Sequence, residues 1–299
     1  MTEGARLVSR TTLDPKLDIV FHLLLGDPKN KHLLVAFLTA ALQPRVPIVD
    51  VTVLNPITRR SHITAKGSVL DLYVRLNDGR RVLVEIQISR RPHFTSRALF
   101  YWARAYEGQL PRGHQYGTLE PTAGVFVLDY DEFTDDRFHR TFELRDTKSQ
   151  EPLSDALCLH FFELNKLRHR APDTVADPML RWAQFLAART DQELEAISMT
   201  DPTIKQAKEA LEELSADHWA REAALKREWD LASYEHELVR EIAEAELRGR
   251  RGLIEEQLRL KFGGLADEIV TRIAHAGRAD LDLWALRVLT ATSLDEVLG

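Results

Sequence analysis

The amino-acid sequence predicts an α+β fold for about the first 165 residues, with a mostly antiparallel sheet flanked by helices, and an all-helical region after it. Strand-like runs alternate with helix-like runs in the first region. Residues 203–248 contain neither Gly nor Pro and are rich in Ala, Glu, Leu, Lys and Arg. That composition is typical of a long amphipathic helix or a helical hairpin.

Two helices are predicted at the start of the chain. Asp14 is a suitable N-cap with Pro15 at the first helical position, and Gly26 ends this helix. The second helix is expected from about residue 30 to residue 42. Strands and one aromatic-rich helix follow; the strand-like segments are VPIVDVTVLNP, the hairpin at 68–89, TAGVFVLDY, RFHRTFELRD and ALCLHFFEL.

The helical region is predicted to break at LRGRRG, residues 247–252, because of its two glycines. A compact helical module follows, and Ser293 with Glu296 resembles a capping box for its last turn. We therefore expect three parts: residues 1–166, a helical linker at 167–250 and a small helical domain at 251–299.

Composition restricts the class of protein. The single cysteine, Cys158, excludes a disulfide framework and favours a reducing compartment. Neither a signal-peptide-like segment nor an apolar run of about 18 residues is present, so we expect a cytoplasmic chain without membrane contact. Residues 1–128 carry a net charge of +7 and the remainder −13. This asymmetry weakly indicates a polyanion as partner of the first half.

The hairpin SVLDLYVRLNDGRRVLVEIQIS, residues 68–89, contains two acids within otherwise apolar strands. Side chains alternate between faces along a strand, so the length of the loop decides which rows of side chains meet. A two-residue turn would place Asp71 opposite Ile86 and would pair each apolar row with a mixed row. A three-residue loop at 77–79 shifts the pairing by one residue.

The longer loop makes the apolar rows coincide, with Leu72 opposite Val84, and it places Asp71 opposite Glu85. Because burial selects the register strongly, we predict this pairing. The loop sequence Asn-Asp-Gly suits a type I turn followed by a left-handed residue. Gly79 is therefore predicted to have a positive φ.

Two carboxylates on adjacent strands would lie about 5 Å apart. A divalent cation would offset their repulsion, and oxygen ligands favour Mg²⁺ or Mn²⁺ over zinc. The alternative is that Asp71 and Glu85 are two solvent-facing acids of a half-exposed hairpin. The apolar neighbours Val69, Tyr73 and Leu83 on the same face weigh against that alternative.

The pattern D-x(13)-E-x-Q across the hairpin resembles the core of PD-(D/E)XK nucleases. More specifically, the first 166 residues resemble the Rpn family of bacterial recombination-promoting nucleases and transposases. The ordered pieces are DPKLDIVFHLLLG, NKHLLVAFLTAAL, VLDLYVRLNDGRRVLVEIQ, RALFYWARAYEGQLPRGHQYGTLEP, GVFVLDY and LHFFELNKL. The resemblance implies a restriction-endonuclease-like core and a Mg²⁺-dependent DNA endonuclease.

The resemblance also implies the site. Asp71 and Glu85 would be catalytic metal ligands, with Asp18 and the Ile86 backbone carbonyl completing the shell. Gln87 stands where related nucleases carry the catalytic lysine and, being neutral, can act only by hydrogen bonding.

The same resemblance implies DNA contacts outside the hairpin. Arg97 and Tyr101, one helical turn apart, match the family's Arg-x-x-x-Tyr and would reach the scissile phosphate, unless Arg97 pairs with Glu85 instead. Lys66, before the first strand of the hairpin, would touch the DNA backbone. His22 is expected to be an exposed helix histidine.

The alternative function is a nuclease-fold protein without useful catalysis that binds DNA or a protein. By analogy with nucleases that cut two strands, we expect a homodimer, formed through the helical C-terminal half.

Overall fold

The computed structural model describes residues 10–56, 71–167 and 177–299. The chain divides into two compact units, Met1–Arg227 and Glu228–Gly299. The domain boundaries expected at residues 166 and 250 stay a prediction. In the described part of the chain, no helix is long and apolar enough to cross a membrane.

The first unit is built on a six-stranded mixed sheet with the strand order β1-β2-β3-β4-β6-β5. The central strands β3, β4 and β6 run parallel, and the outer pairings are antiparallel. Helices cover both faces of the sheet, as its parallel, fully buried centre requires, and the predicted α+β class is confirmed. The strands are β1 Val51–Val53, β2 Leu72–Leu76, β3 Arg81–Gln87, β4 Thr122–Leu128, β5 His139–Arg145 and β6 Pro152–Glu163.

In the part of the chain that the structure describes, six helices belong to the first unit and a seventh begins there. The break between the sixth and seventh helices occurs at Asp217, which caps the next helix by accepting a hydrogen bond from the Ala220 backbone N–H at 2.9 Å. The helices are α1 Asp18–Gly26, α2 Lys31–Leu42, α3 Phe94–Glu107, α4 Pro178–Ala187, α5 Asp191–Ser198, α6 Pro202–Ala216 and α7 His218–Phe262.

The first helix begins later than predicted. Asp14 does not cap α1; its side chain instead accepts from the Lys16 backbone N–H at 3.0 Å and closes a turn. The buried Lys16 ammonium then pairs with Asp129 at 2.6 Å. This pair holds the turn against the end of β4, so α1 begins at Asp18.

The second unit contains the remainder of α7 with α8 Asp267–His275, α9 Arg278–Arg287 and α10 Leu294–Leu298. The Ser293 hydroxyl caps α10, as predicted, by accepting a hydrogen bond from the Glu296 backbone N–H at 3.3 Å. The predicted break at 247–252 is wrong, because α7 continues through both glycines. A glycine costs a helix only about 1 kcal/mol, and burial of Ile254 and Leu258 in the core of this unit outweighs that cost.

The hairpin has the predicted register. Leu72 pairs with Val84 and Val74 pairs with Val82. The loop closes through Gly79 N, which donates to the Leu76 carbonyl at 3.1 Å, and Gly79 has φ +93°. Asp71 immediately precedes β2, and the next pair in this register would be Asp71 with Glu85. Residue 70, which was predicted to pair with Ile86, lies outside the described residues.

Gly79→Ala tests whether this loop depends on glycine. An alanine there would have to keep a left-handed backbone conformation, at a cost of about 1–2 kcal/mol. Its Cβ would lie 3.1 Å from the Glu120 carboxyl carbon. Gly117→Ala is the matched control, since Gly117 is exposed, has no positive φ, and has no described atom within 4 Å of the position of a Cβ. We expect urea unfolding to show a larger loss of stability for Gly79→Ala. Equal losses would contradict the tight closure.

Candidate active site

Asp71 is held at the start of β2 by two backbone interactions. One of its carboxylate oxygens, Oδ2, accepts from the Ile86 N–H at 2.5 Å. Its backbone carbonyl accepts from Nδ1 of His22 on α1. His22 is only 3% exposed, so the expectation of an exposed histidine is wrong. The packing is close, since a Cβ on Gly26 would lie 2.9 Å from the His22 ring.

Glu85 lies in the middle of the sheet and is 2% exposed. Its Oε1 accepts from Arg97 Nη2 at 2.7 Å and from Gln87 Nε2 at 2.8 Å. Its other oxygen, Oε2, is buried and has no hydrogen-bond partner. A buried carboxylate oxygen without a partner is costly, so this atom marks a position where a ligand would be stabilised.

Burial favours the uncharged form of both carboxyl groups. Burial, together with the charges of Asp18 and Glu85, raises the pKa of Asp71 well above its ordinary value. Burial also raises the pKa of Glu85 to about 7, although Arg97 opposes this. Such perturbed carboxyl groups are typical of functional sites. A cation bound beside them would favour their charged forms.

Asp18 is close enough to Asp71 to raise its pKa, but an arginine already occupies the carboxylate of Asp18. Arg227, on α7, donates from Nε to Asp18 Oδ1 at 2.8 Å, and its Nη2 contacts Oδ2. No sequence pattern pointed to Arg227, because it lies 209 positions after Asp18. A local pattern cannot reveal such a pairing.

The carboxylates fit in part the divalent ion that the resemblance implies. The buried acid pair and the unpartnered Glu85 Oε2 fit a hard cation with oxygen ligands. Within the described ranges, however, no three His, Cys, Asp or Glu side chains are arranged to hold a metal. The ion pair with Arg227 uses both oxygens of Asp18, the third acid. The roles of Asp18 and of the Ile86 carbonyl as ligands stay predictions.

The helix α3 brings Arg97 and Tyr101 to the site. Arg97 pairs with Glu85, as one of the two alternatives anticipated, and its guanidinium lies 5.8 Å from the centre of the Tyr101 ring. The Nε atom of Arg97 is buried without a partner. Phosphate contacts by these two residues stay predictions. Lys66 lies outside the described residues.

Tyr130 is a second residue that the sequence analysis missed. It follows the end of β4, and its buried hydroxyl has no hydrogen-bond partner. β4 pairs in parallel with β3, and Leu128 lies beside Gln87. Ligands of open sheets bind beyond the carboxyl ends of parallel strands, so knowledge of the strand order would have indicated this position.

The chain belongs to the PD-(D/E)XK nuclease family transposases, whose family model matches residues 15–237. The matched region includes the hairpin, α3 and Arg227. A nuclease-related and transposase-related function follows, with DNA as the substrate that such a family implies and divalent ions as its general cofactors. Comparisons with curated proteins and with solved structures find no match.

The pKa of Glu85 predicts how stability depends on pH in the absence of metal. It is about 7 in the folded chain and 4.5 ordinarily, so between these values only the folded state keeps the proton. The contribution is fully present below a pH of about 4.5 and is lost as the pH rises through about 7. The loss is on the order of 3 kcal/mol.

We therefore expect urea unfolding to show that wild type loses about 3 kcal/mol more than Glu85→Gln across this pH range. Glu107→Gln, which changes an exposed acid on α3, is the matched control and should follow the wild type. Parallel pH profiles for wild type and Glu85→Gln would show that the folded chain does not hold this proton.

Proposed function

We propose that this chain is a Mg²⁺- or Mn²⁺-dependent endodeoxyribonuclease that hydrolyses phosphodiester bonds and promotes DNA recombination. The observation that carries the proposal is the buried pair of Asp71 and Glu85, with an unpartnered carboxylate oxygen, at the centre of a PD-(D/E)XK sheet. An acid pair of this kind is costly in a purely structural core.

The residues that would hold the ion are Asp71 and Glu85, joined by Asp18. A divalent ion at such a site binds a phosphate oxygen and lowers the pKa of bound water. The protein's own contribution is to hold these acids in place. Gln87 and Arg97 both donate to Oε1 of Glu85, and Oε2 has no hydrogen-bond partner.

The partners are proposed with the activity. DNA is the substrate, a cytoplasmic location suits it, and no membrane partner is proposed. We also propose a homodimer through the helical C-terminal half. In the second unit, Trp229, Val239 and Ile242 on α7 are 74%, 67% and 59% exposed. Apolar side chains that are exposed along a helix favour a partner helix.

Asp71→Asn tests the activity on supercoiled plasmid with Mg²⁺. Removing a metal ligand forfeits several kcal/mol of transition-state stabilisation, so we expect nicking to fall at least about 100-fold. Asp78→Asn, in the loop of the same hairpin, is the matched control and should cut like the wild type.

If wild type and Asp71→Asn nick equally, the assignment of this site is wrong. If wild type binds DNA but does not cut it with either ion, the alternative function applies, namely a DNA- or protein-binding module on a nuclease fold. Gln87 in the lysine position is the observation that favours this alternative.

Arg227→Gln tests whether Asp18 contributes to metal binding. Arg227 neutralises Asp18 through a half-exposed ion pair, and such pairs contribute up to about 1 kcal/mol. Calorimetric titration with Mn²⁺ should therefore show about 5-fold tighter binding for the variant, which corresponds to about 1 kcal/mol. Lys226→Gln removes the neighbouring charge of α7 and serves as the matched control. Equal affinities for wild type and Arg227→Gln would mean that Asp18 is not a ligand.

A further inference from the structure

Among the buried polar atoms without hydrogen-bond partners, three belong to residues on, or packed against, one face of the sheet near the end of β3: Glu85 Oε2, Arg97 Nε and the hydroxyl of Tyr130. Arg81 Nε, at the start of β3 on the same face, is also unpartnered. Buried polar groups in folded proteins are nearly always paired, and each exception needs an explanation. Arg97 Nε can only donate, an ionised Glu85 oxygen can only accept, and the Tyr130 hydroxyl can do either. A core that only had to be stable would not leave both kinds of group unpaired in the same region.

The fold places Tyr130 on the face of the sheet that carries Glu85. Phe126 and Leu128 on β4 lie on this face, and Tyr130, two residues beyond the strand, belongs to the same hydrophobic cluster. The Asp129 N–H donates to the Gln87 carbonyl at 2.9 Å, which keeps the chain beside the end of β3 after β4 has ended.

A single aromatic ring positions both donors. The Tyr130 ring packs edge-on against Phe94, with the ring centres 6.3 Å apart. The guanidinium of Arg97 lies 5.7 Å from the centre of the same Phe94 ring. Phe94 is only 1% exposed, so it provides a rigid support for both.

The chemistry of the two donors selects the ligand. A guanidinium N–H and a phenol O–H both donate, and together they suit an anionic oxygen. Tyr130 is only 8% exposed, and burial raises the pKa of its hydroxyl. The group therefore keeps its proton at neutral pH and acts as a donor, not as a base.

We propose that Tyr130 is a further catalytic residue, whose hydroxyl donates a hydrogen bond, together with Arg97 Nε, to a non-bridging oxygen of the DNA phosphate. This inference rests on the proposed function and adds a substrate contact to that site. Donors aimed at a phosphate oxygen stabilise the charge that develops there during hydrolysis.

Tyr130→Phe separates this role from a structural one, because the two roles predict opposite changes in stability. Removing an unpartnered buried hydroxyl should raise the melting temperature by about 2 to 4 °C. Removing a transition-state donor should lower kcat for plasmid nicking by about 100-fold, with KM nearly unchanged. A gain in stability with a loss of activity is the expected signature.

Tyr73→Phe is the matched control. The Tyr73 hydroxyl, on the same face, is partnered: it donates to the Ala105 carbonyl at 3.3 Å and accepts from Arg81 Nη1 at 3.2 Å. This variant should melt at a lower temperature and keep the wild-type kcat.

Two results would overturn this inference while the proposed function stands: wild-type kcat for Tyr130→Phe, or a melting temperature lowered as in Tyr73→Phe. If the wild-type chain itself does not cut DNA with Mg²⁺ or Mn²⁺, the proposed function has failed, and this inference fails with it.

Discussion

The register of one hairpin is the constraint on which the site depends. The three-residue loop ending at Gly79 pairs Leu72 with Val84 and brings the apolar rows of β2 and β3 together. A slip of one residue would turn every side chain of β2 to the opposite face. It would then separate Asp71 from Glu85, so the same hydrophobic burial that stabilises the sheet also assembles the two carboxylates.

Burying two acids in a sheet is unfavourable, and the surrounding residues offset only part of the cost. Asp71 accepts a hydrogen bond from the Ile86 N–H, and one oxygen of Glu85 accepts hydrogen bonds from Arg97 and Gln87. The other oxygen of Glu85 has no hydrogen-bond partner. Proteins commonly give up local stability at functional sites, and an unpartnered oxygen on one of two neighbouring buried carboxylates is consistent with a site adapted to bind a ligand.

The features that depend on local sequence patterns could be predicted from the sequence. The α+β class, the hairpin register and the cap at Ser293 all follow from alternation and turn chemistry over a few residues. Prediction failed where packing overrides pattern. His22 is buried because α1 packs against the start of β2, and α7 runs through Gly249 because its core contacts outweigh the propensity of glycine. Arg227 and Tyr130 reach the site through tertiary packing and parallel strand order, which no local motif encodes.

The most direct measurement of the central claim is anomalous diffraction from crystals of the full chain grown with Mn²⁺. We predict an anomalous peak between the carboxylates of Asp71 and Glu85, within bonding distance of Glu85 Oε2, and no peak there in crystals of Glu85→Gln. Well-ordered crystals with Asp71 and Glu85 in place but no peak between them, or with a peak only elsewhere on the chain, would contradict the account.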